Sequence, residues 1–179
     1  MKAIYTTFDY HKHNELNPLL YNTICQNLSD QPLMGGGIIT PYWNLHKRGL
    51  QDVDTLCEWI QNITHKAAFV FSQGGEDKVT ECDNHLGFKT DSFTIAECWG
   101  VHYTPNTKVI KHNHFPFAMS FVYCVQAPKG CSPLIIEDDK IESVEGRIVF
   151  FLSHQYHNSI ETNTTGRCMI AGNLIYKWE

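Results

Sequence analysis

The chain has 179 residues, enough for one domain with a substantial buried core, and its 42% apolar and 18% charged residues are those of an ordinary globular protein. A net charge of −5 with no long run of one sign argues against a nucleic-acid backbone as the main partner, because such proteins carry a basic face. No stretch approaches the about 18 uncharged apolar residues of a membrane helix, and the opening MKAIYTTFDYHKHNE lacks the apolar core of a signal peptide, so a cytoplasmic protein with no membrane partner is expected.

In chain order, residues 14–28 place Leu16, Leu19, Leu20, Ile24 and Leu28 on a helical period, with Asn14 or Asn17 as the cap and Pro18 in the first turn. Residues 33–46 carry Gly35, Gly36, Gly37 and Pro41 and read as irregular structure. A second helix is expected over 50–66, with Leu50, Val53, Leu56, Ile60 and Ile63 on one face and Asp52 and Asp54 near its positive end.

From Ala67 the pattern changes to short β-branched and aromatic runs: AAFVF, SFTIAECWGVHY, KVIKHNHF, AMSFVYCV, PLIIED, RIVFFL and RCMIAGNLIY. Turn-forming segments such as TPNT, APKGCS and TNTTG separate them. Many short strands spaced by turns indicate a sandwich or barrel, and helices followed by strands make an α+β order. The expectation is a single domain over 1–179, with a helical front (1–66) packed on a β core (67–179).

Seven cysteines, at 25, 57, 82, 98, 124, 131 and 168, include no Cys-x-x-Cys and read as reduced, mostly buried thiols. Five of the ten histidines, at 102, 112, 114, 154 and 157, fall close together. Residues i and i+2 of a strand point to one face, so His112 and His114 can reach one metal ion. His157 follows the apolar run Ile148–Leu152, 43 residues after His114, and a sandwich can bring it alongside. Three such ligands with open positions suit non-haem iron(II). Arg167 comes ten residues after His157, past a turn at Asn163–Gly166. With that turn centred on Thr164, Arg167 would lie opposite Glu161 and hold a short dicarboxylate beside the metal. His102 and His154 are expected to stand apart from the metal.

The stretch from Tyr103 through Asn106 to His112-Asn-His114 resembles the Tyr-x-x-Gly-x-x-x-x-x-His-x-Asp stretch of the 2-oxoglutarate/Fe(II)-dependent dioxygenases, specifically the prolyl 4-hydroxylase-like group. Gly146, Phe151, Ser153, His157 and Arg167 resemble the family's last block. A subgroup of bacterial and phage 2-oxoglutarate/Fe(II) oxygenases is more similar still. It has His-x-His-Pro, matched by His112-Asn-His114-Phe-Pro116, and a final Arg-x-x-x-x-x-Asn, matched by Arg167 to Asn173. Helix, Gly-rich segment (Gly35 to Trp43) and helix in the front half are also similar.

The resemblance implies a double-stranded β-helix (jelly-roll) core and an oxygenase, a hydroxylase of a small molecule or of peptidyl proline that releases succinate and CO2. It implies Fe(II) as metal and 2-oxoglutarate as cosubstrate. His112 and His157 would be ligands, His114 would take the carboxylate's place, Arg167 would pair with the distal carboxylate of 2-oxoglutarate, and Tyr103 would hydrogen-bond to it. Asn173 would line the pocket, and Trp43, Trp99 or Phe115 its mouth.

His114 departs from the family pattern and leaves the site one charge more positive. Either three histidines hold the metal, or water replaces His114; Glu137, Asp138 or Asp139 could supply a carboxylate. Asn106 stands for a glycine and tolerates a left-handed turn. Two rivals remain. A cupin-type three-histidine dioxygenase without 2-oxoglutarate fits the Gly146-to-His157 spacing, but Ala118 and Met119 stand where its glutamate would follow. A non-catalytic binding module on the same fold would leave His112, His157 and Arg167 unexplained.

Overall fold

The computed structural model describes residues 2–29, 37–41, 43–73 and 92–177, so Gly35, Gly36 and Cys82 lie outside the described residues. Strand β1 (Tyr5–Asp9) precedes helix α1 (His13–Gln26). Strand β2 (Ile38–Ile39), a short 3-10 turn (Leu45–Lys47) and helix α2 (Gln51–Ser72) follow. The remaining strands are β3 (Phe93–Tyr103), β4 (Met119–Gln126), β5 (Leu134–Ile136) and β6 (Asp139–Ile141). The last three are β7 (Arg147–Leu152), β8 (His157–Asn158) and β9 (Arg167–Tyr176).

Helix α1 forms where the period predicts, with Leu16, Leu20 and Ile24 buried, but neither asparagine caps it. Asn17 is turned into the sheet: its Nδ2 donates to the Val125 carbonyl at 2.7 Å and its Oδ1 accepts from Tyr123 Oη at 2.7 Å. Pro18 is accommodated within the helix, beyond the first turn.

Helix α2 runs past 66 and takes in AAFVF, which the sequence reading made a strand. Ala67, Ala68 and Val70 continue the buried face of Val53, Leu56 and Ile60, and buried Thr64 donates to the Ile60 carbonyl at 2.7 Å. A short apolar run fits either element by itself; contact with the sheet selects the helix.

The strands form a six-stranded sheet in the order β1-β7-β4-β9-β3-β2 and a three-stranded sheet, β6-β5-β8. Thus β1, from the front expected to be helical, closes one edge of the large sheet beside β7. Period-two alternation separates its faces. Phe121 and Tyr123 of β4, Ile148 and Phe150 of β7 and Ile170 and Leu174 of β9 pack with the helices in the main core. On the opposite face Val149 and Phe151 meet Leu134, Ile136 and Ile141 of the small sheet. Gly172 lets the middle strands close up, since a Cβ there would lie 2.5 Å from the Glu97 carbonyl oxygen and 2.5 Å from the Phe121 ring.

KVIKHNHF does not form a regular strand. It runs beside β8 through one isolated bridge, with His112 N–H donating to the His157 carbonyl at 3.1 Å and the reverse bond at 2.8 Å. Two of its backbone partners are side chains or loop groups instead: Val109 N–H donates to Ser159 Oγ, and His114 N–H donates to the Ser153 carbonyl.

Candidate metal centre and pocket

The pleat of the large sheet sends Glu97, Trp99, Val101 and Tyr103 of β3 toward the small sheet, with Arg167, Met169 and Ala171 of β9 beside them. These side chains line a cavity of about 420 Å³ between the sheets, into which His112, His114 and His157 also face.

One potential ligand atom from each of the three histidines lies within 4.8 Å of the others, and among the described residues they form the only such group. His114 Nε2 and His157 Nε2 are 3.2 Å apart. His112 Nδ1 lies 2.8 Å from the Ile110 carbonyl and donates to it, which leaves Nε2 as the free lone pair. Burial, with the nearby His112 as the lesser cause, lowers the pKa of His114 to about 4 and that of His157 well below the ordinary value. Both rings are therefore neutral at pH 7, the state that binds metal. Three imidazole nitrogens on one side of an open cavity suit a divalent transition metal that keeps positions for exogenous ligands.

Among the described residues no carboxylate joins the trio. Glu137, with φ +53°, turns away and accepts from Tyr156 N–H at 2.9 Å. The nearby carboxylate is Glu97, which sequence reasoning overlooked: its Oε2 accepts from Asn173 Nδ2 at 2.8 Å, and that amide lies 3.3 Å from His114 Nδ1. Alternation along SFTIAECWGVHY placed Glu97 on the same face as Tyr103 and was the signal available.

Arg167 is paired with Tyr103 across β3 and β9, not with Glu161. Glu161 forms an exposed ion pair with Lys108 at 2.7 Å. The reason is local: Gly166, with φ +87°, turns the chain sharply into β9, and the long β3–β9 ladder fixes the register. Arg167 is 2% exposed, its guanidinium carbon stands 4.3 Å above the Tyr103 ring and its Nε donates to Ser143 Oγ at 3.4 Å. Its Nη1 is buried without a hydrogen-bond partner. A buried guanidinium with an unused donor, facing an apolar cavity, is a site for an anion.

Asn106 adopts the left-handed conformation expected of it, φ +61°. His102 faces α1, with Nε2 3.3 Å from Tyr21 Oη, and His154 is exposed, so neither reaches the site. Trp43 and Trp99 stack edge to face at 4.4 Å in the cavity wall, whereas Phe115 is 75% exposed and is not among the lining residues.

Neither a protein-family model nor a curated protein sequence matches this chain. Solved structures do. A prolyl-4-hydroxylase from Pseudomonas putida aligns with TM-score 0.66 and 15% identity over 99% of this chain and 95% of that one. The viral collagen prolyl hydroxylase of Paramecium Bursaria Chlorella virus-1, solved as a 2-oxoglutarate complex, aligns with TM-score 0.65 and 14% identity over 97% and 96%. A non-heme alpha-ketoglutarate-dependent epimerase from nogalamycin biosynthesis gives TM-score 0.69 at 8% identity over 97% and 78%. At these identities the likeness establishes the fold: the chain is a double-stranded β-helix, as the family resemblance led us to expect.

Proposed function

We propose that this protein is an iron(II)- and 2-oxoglutarate-dependent oxygenase, a hydroxylase whose substrate is a small molecule or a peptide. The observation that carries the reading is Arg167, buried at the cavity wall with Nη1 unpaired. A dianion with a second, metal-chelating end satisfies both the guanidinium and the three histidines. The solved relatives include a 2-oxoglutarate complex and a prolyl hydroxylase bound to a peptide.

His112, His114 and His157 would hold the metal, and Arg167 with Tyr103 the distal carboxylate of 2-oxoglutarate. Metal and cosubstrate together would supply the oxidising power, with succinate and CO2 released. The chain's own part is placement. Tyr103 covers one face of the guanidinium and Ser143 engages its Nε, while Nη1 is left unpaired on a residue that lines the cavity. Met169, Ala171, Val122, Leu134 and Phe151 line the same cavity and keep its dielectric low, which strengthens the charge-assisted bond. Trp43, 44% exposed, stands where a substrate would enter.

The test is iron-dependent succinate formation from 2-oxoglutarate in air, without added substrate. Wild type should form succinate slowly, and Arg167→Ala and His157→Ala should not. Absence of succinate, together with anaerobic iron binding and no 2-oxoglutarate binding, would sink the reading and favour a three-histidine dioxygenase that needs no cosubstrate.

A further inference from the structure

Besides the histidines, three charged side chains line the cavity: Arg167, Lys108 and Glu97. Arg167 is assigned to the distal carboxylate of the cosubstrate, and Lys108 is paired with Glu161 at 2.7 Å. Glu97 is left over. Its Oε2 accepts from Asn173 Nδ2 at 2.8 Å, and among the described residues nothing donates to Oε1 and no lysine or arginine pairs with the carboxylate. Glu97 is half-buried in a wall made mostly of apolar side chains. A carboxylate held there without a cation is costly, and a ligand that brings one relieves the cost.

Trp99, two residues further along β3, lines the same cavity. The Trp43 carbonyl accepts from the N–H of Cys98, the residue between Glu97 and Trp99, at 2.8 Å, which brings Trp43 to the same place. The two indoles meet at 67° with centroids 4.4 Å apart, and both line the cavity. The ring of buried Trp99 lies 5.7 Å from that of His114, whereas Trp43 reaches solvent, so the corner runs from the mouth to the edge of the histidine trio. Two indoles at an angle with a carboxylate beside them suit an organic cation: the ring faces attract its charge and the carboxylate accepts its N–H. Asn173 already engages Oε2, so one oxygen is open. That suits an ammonium, which needs a single acceptor, better than a guanidinium fork, which uses both.

We propose that the substrate carries a protonated primary or secondary amine, bound by Glu97 Oε1 against the Trp43–Trp99 corner, and that Glu97 is the residue that selects it. The proposal rests on the reading of this cavity as the site of an iron(II)- and 2-oxoglutarate-dependent oxygenase. Charge favours it: a divalent metal and Arg167 against a dianion leave a net positive site that repels an ammonium, and Glu97 cancels that excess.

The test is a titration of the full-length chain with n-butylammonium, followed by the indole N–H signals of Trp43 and Trp99 in 15N NMR. It is run with Zn(II) and 2-oxoglutarate bound, and again without either. Wild type should bind n-butylammonium saturably in both states, and n-butanol and n-butylguanidinium at least several-fold more weakly. Glu97→Gln, which keeps an oxygen for Asn173 Nδ2, should weaken n-butylammonium roughly tenfold or more, the loss of a charge-assisted hydrogen bond. Trp43→Leu, a change at an exposed side chain, should weaken it about threefold. Nα-acetyl-lysine methylamide against free lysine separates the two sources of such an amine: tighter binding of the blocked form assigns a peptide, tighter binding of the free form a small molecule. No saturable binding, equal affinity for n-butanol, or unchanged affinity in Glu97→Gln would overturn the proposal. So would a Glu97→Gln chain that loses affinity for Zn(II) alone, which would make Glu97 a counter-charge to the metal. A wild type that binds the amine as expected but forms no succinate would sink the oxygenase reading and leave the cation site standing.

Discussion

Arg167 and Tyr103 are direct partners on adjacent antiparallel strands, with the guanidinium 4.3 Å above the phenol ring. The pair fixes a cation in a nearly dry wall, with one nitrogen unpaired and buried. Stacking restricts the guanidinium to one plane and leaves its remaining donor for a ligand.

The Arg167→Lys chain should therefore fold and lose most of its affinity for 2-oxoglutarate. A single ammonium replaces a planar fork, and a lost charge-assisted bond in a buried site costs about 2–4 kcal/mol, or roughly thirty- to thousandfold in Kd. Anaerobic calorimetry in the presence of metal measures it. Unchanged affinity would assign the anion to another group.

Metal affinity should depend on all three histidines. His112→Ala, His114→Ala and His157→Ala should each weaken Co(II) binding by more than about a hundredfold, because each removes one of three grouped ligand atoms. His154→Ala, an exposed side chain, should change nothing. Unchanged Co(II) affinity in any one of the three would remove that histidine from the ligand set.

Acid should destabilise the metal-free protein through the same rings. The folded-state pKa of His114 is lowered from 6.5 to about 4, so the unfolded chain binds more protons between those values. Stability is full above the unfolded pKa and falls as pH drops through 6.5 toward 4, by at most about 1.4 kcal/mol per pH unit for each such histidine. His157 acts in the same direction. Urea unfolding at pH 7 and pH 5.5 should show the loss in wild type and a smaller one in a His114→Gln/His157→Gln double variant. Parallel losses would mean that other groups dominate.

Helix α1 is tied to the sheet by Asn17, which joins Tyr123 Oη to the Val125 carbonyl. Asn17→Ala should cost about 2–3 kcal/mol, since it strands a buried hydroxyl and a buried carbonyl. Tyr123→Phe in that background should recover part of the loss. Strictly additive losses in the double-mutant cycle would show that the two side chains are not coupled.

Much of this was legible in the amino-acid order. Alternation in SFTIAECWGVHY, RIVFFL and RCMIAGNLIY named strands β3, β7 and β9 and told which residues share a face. The His-x-His pair, the distant His157 and Arg167 were legible as types suited to a metal and an anion. AAFVF was not legible, because five apolar residues fit a strand or the end of a helix equally well, and only burial against the sheet decided.

What the sequence determined by itself was periodicity and chemistry: which residues alternate, and which can ligate or pair. What only the tertiary structure decided was register. A strand's own residues do not state which partner residue they face, because shifting the ladder by two keeps every face and changes every neighbour. That register set Arg167 over Tyr103 instead of opposite Glu161, and aligned Glu97 and Ser120 on the two sides of Asn173, 76 and 53 residues away in the chain. The hydrogen-bond order around His114 follows from those alignments, since a carboxylate and a hydroxyl on opposite sides of one amide leave it a single favourable orientation.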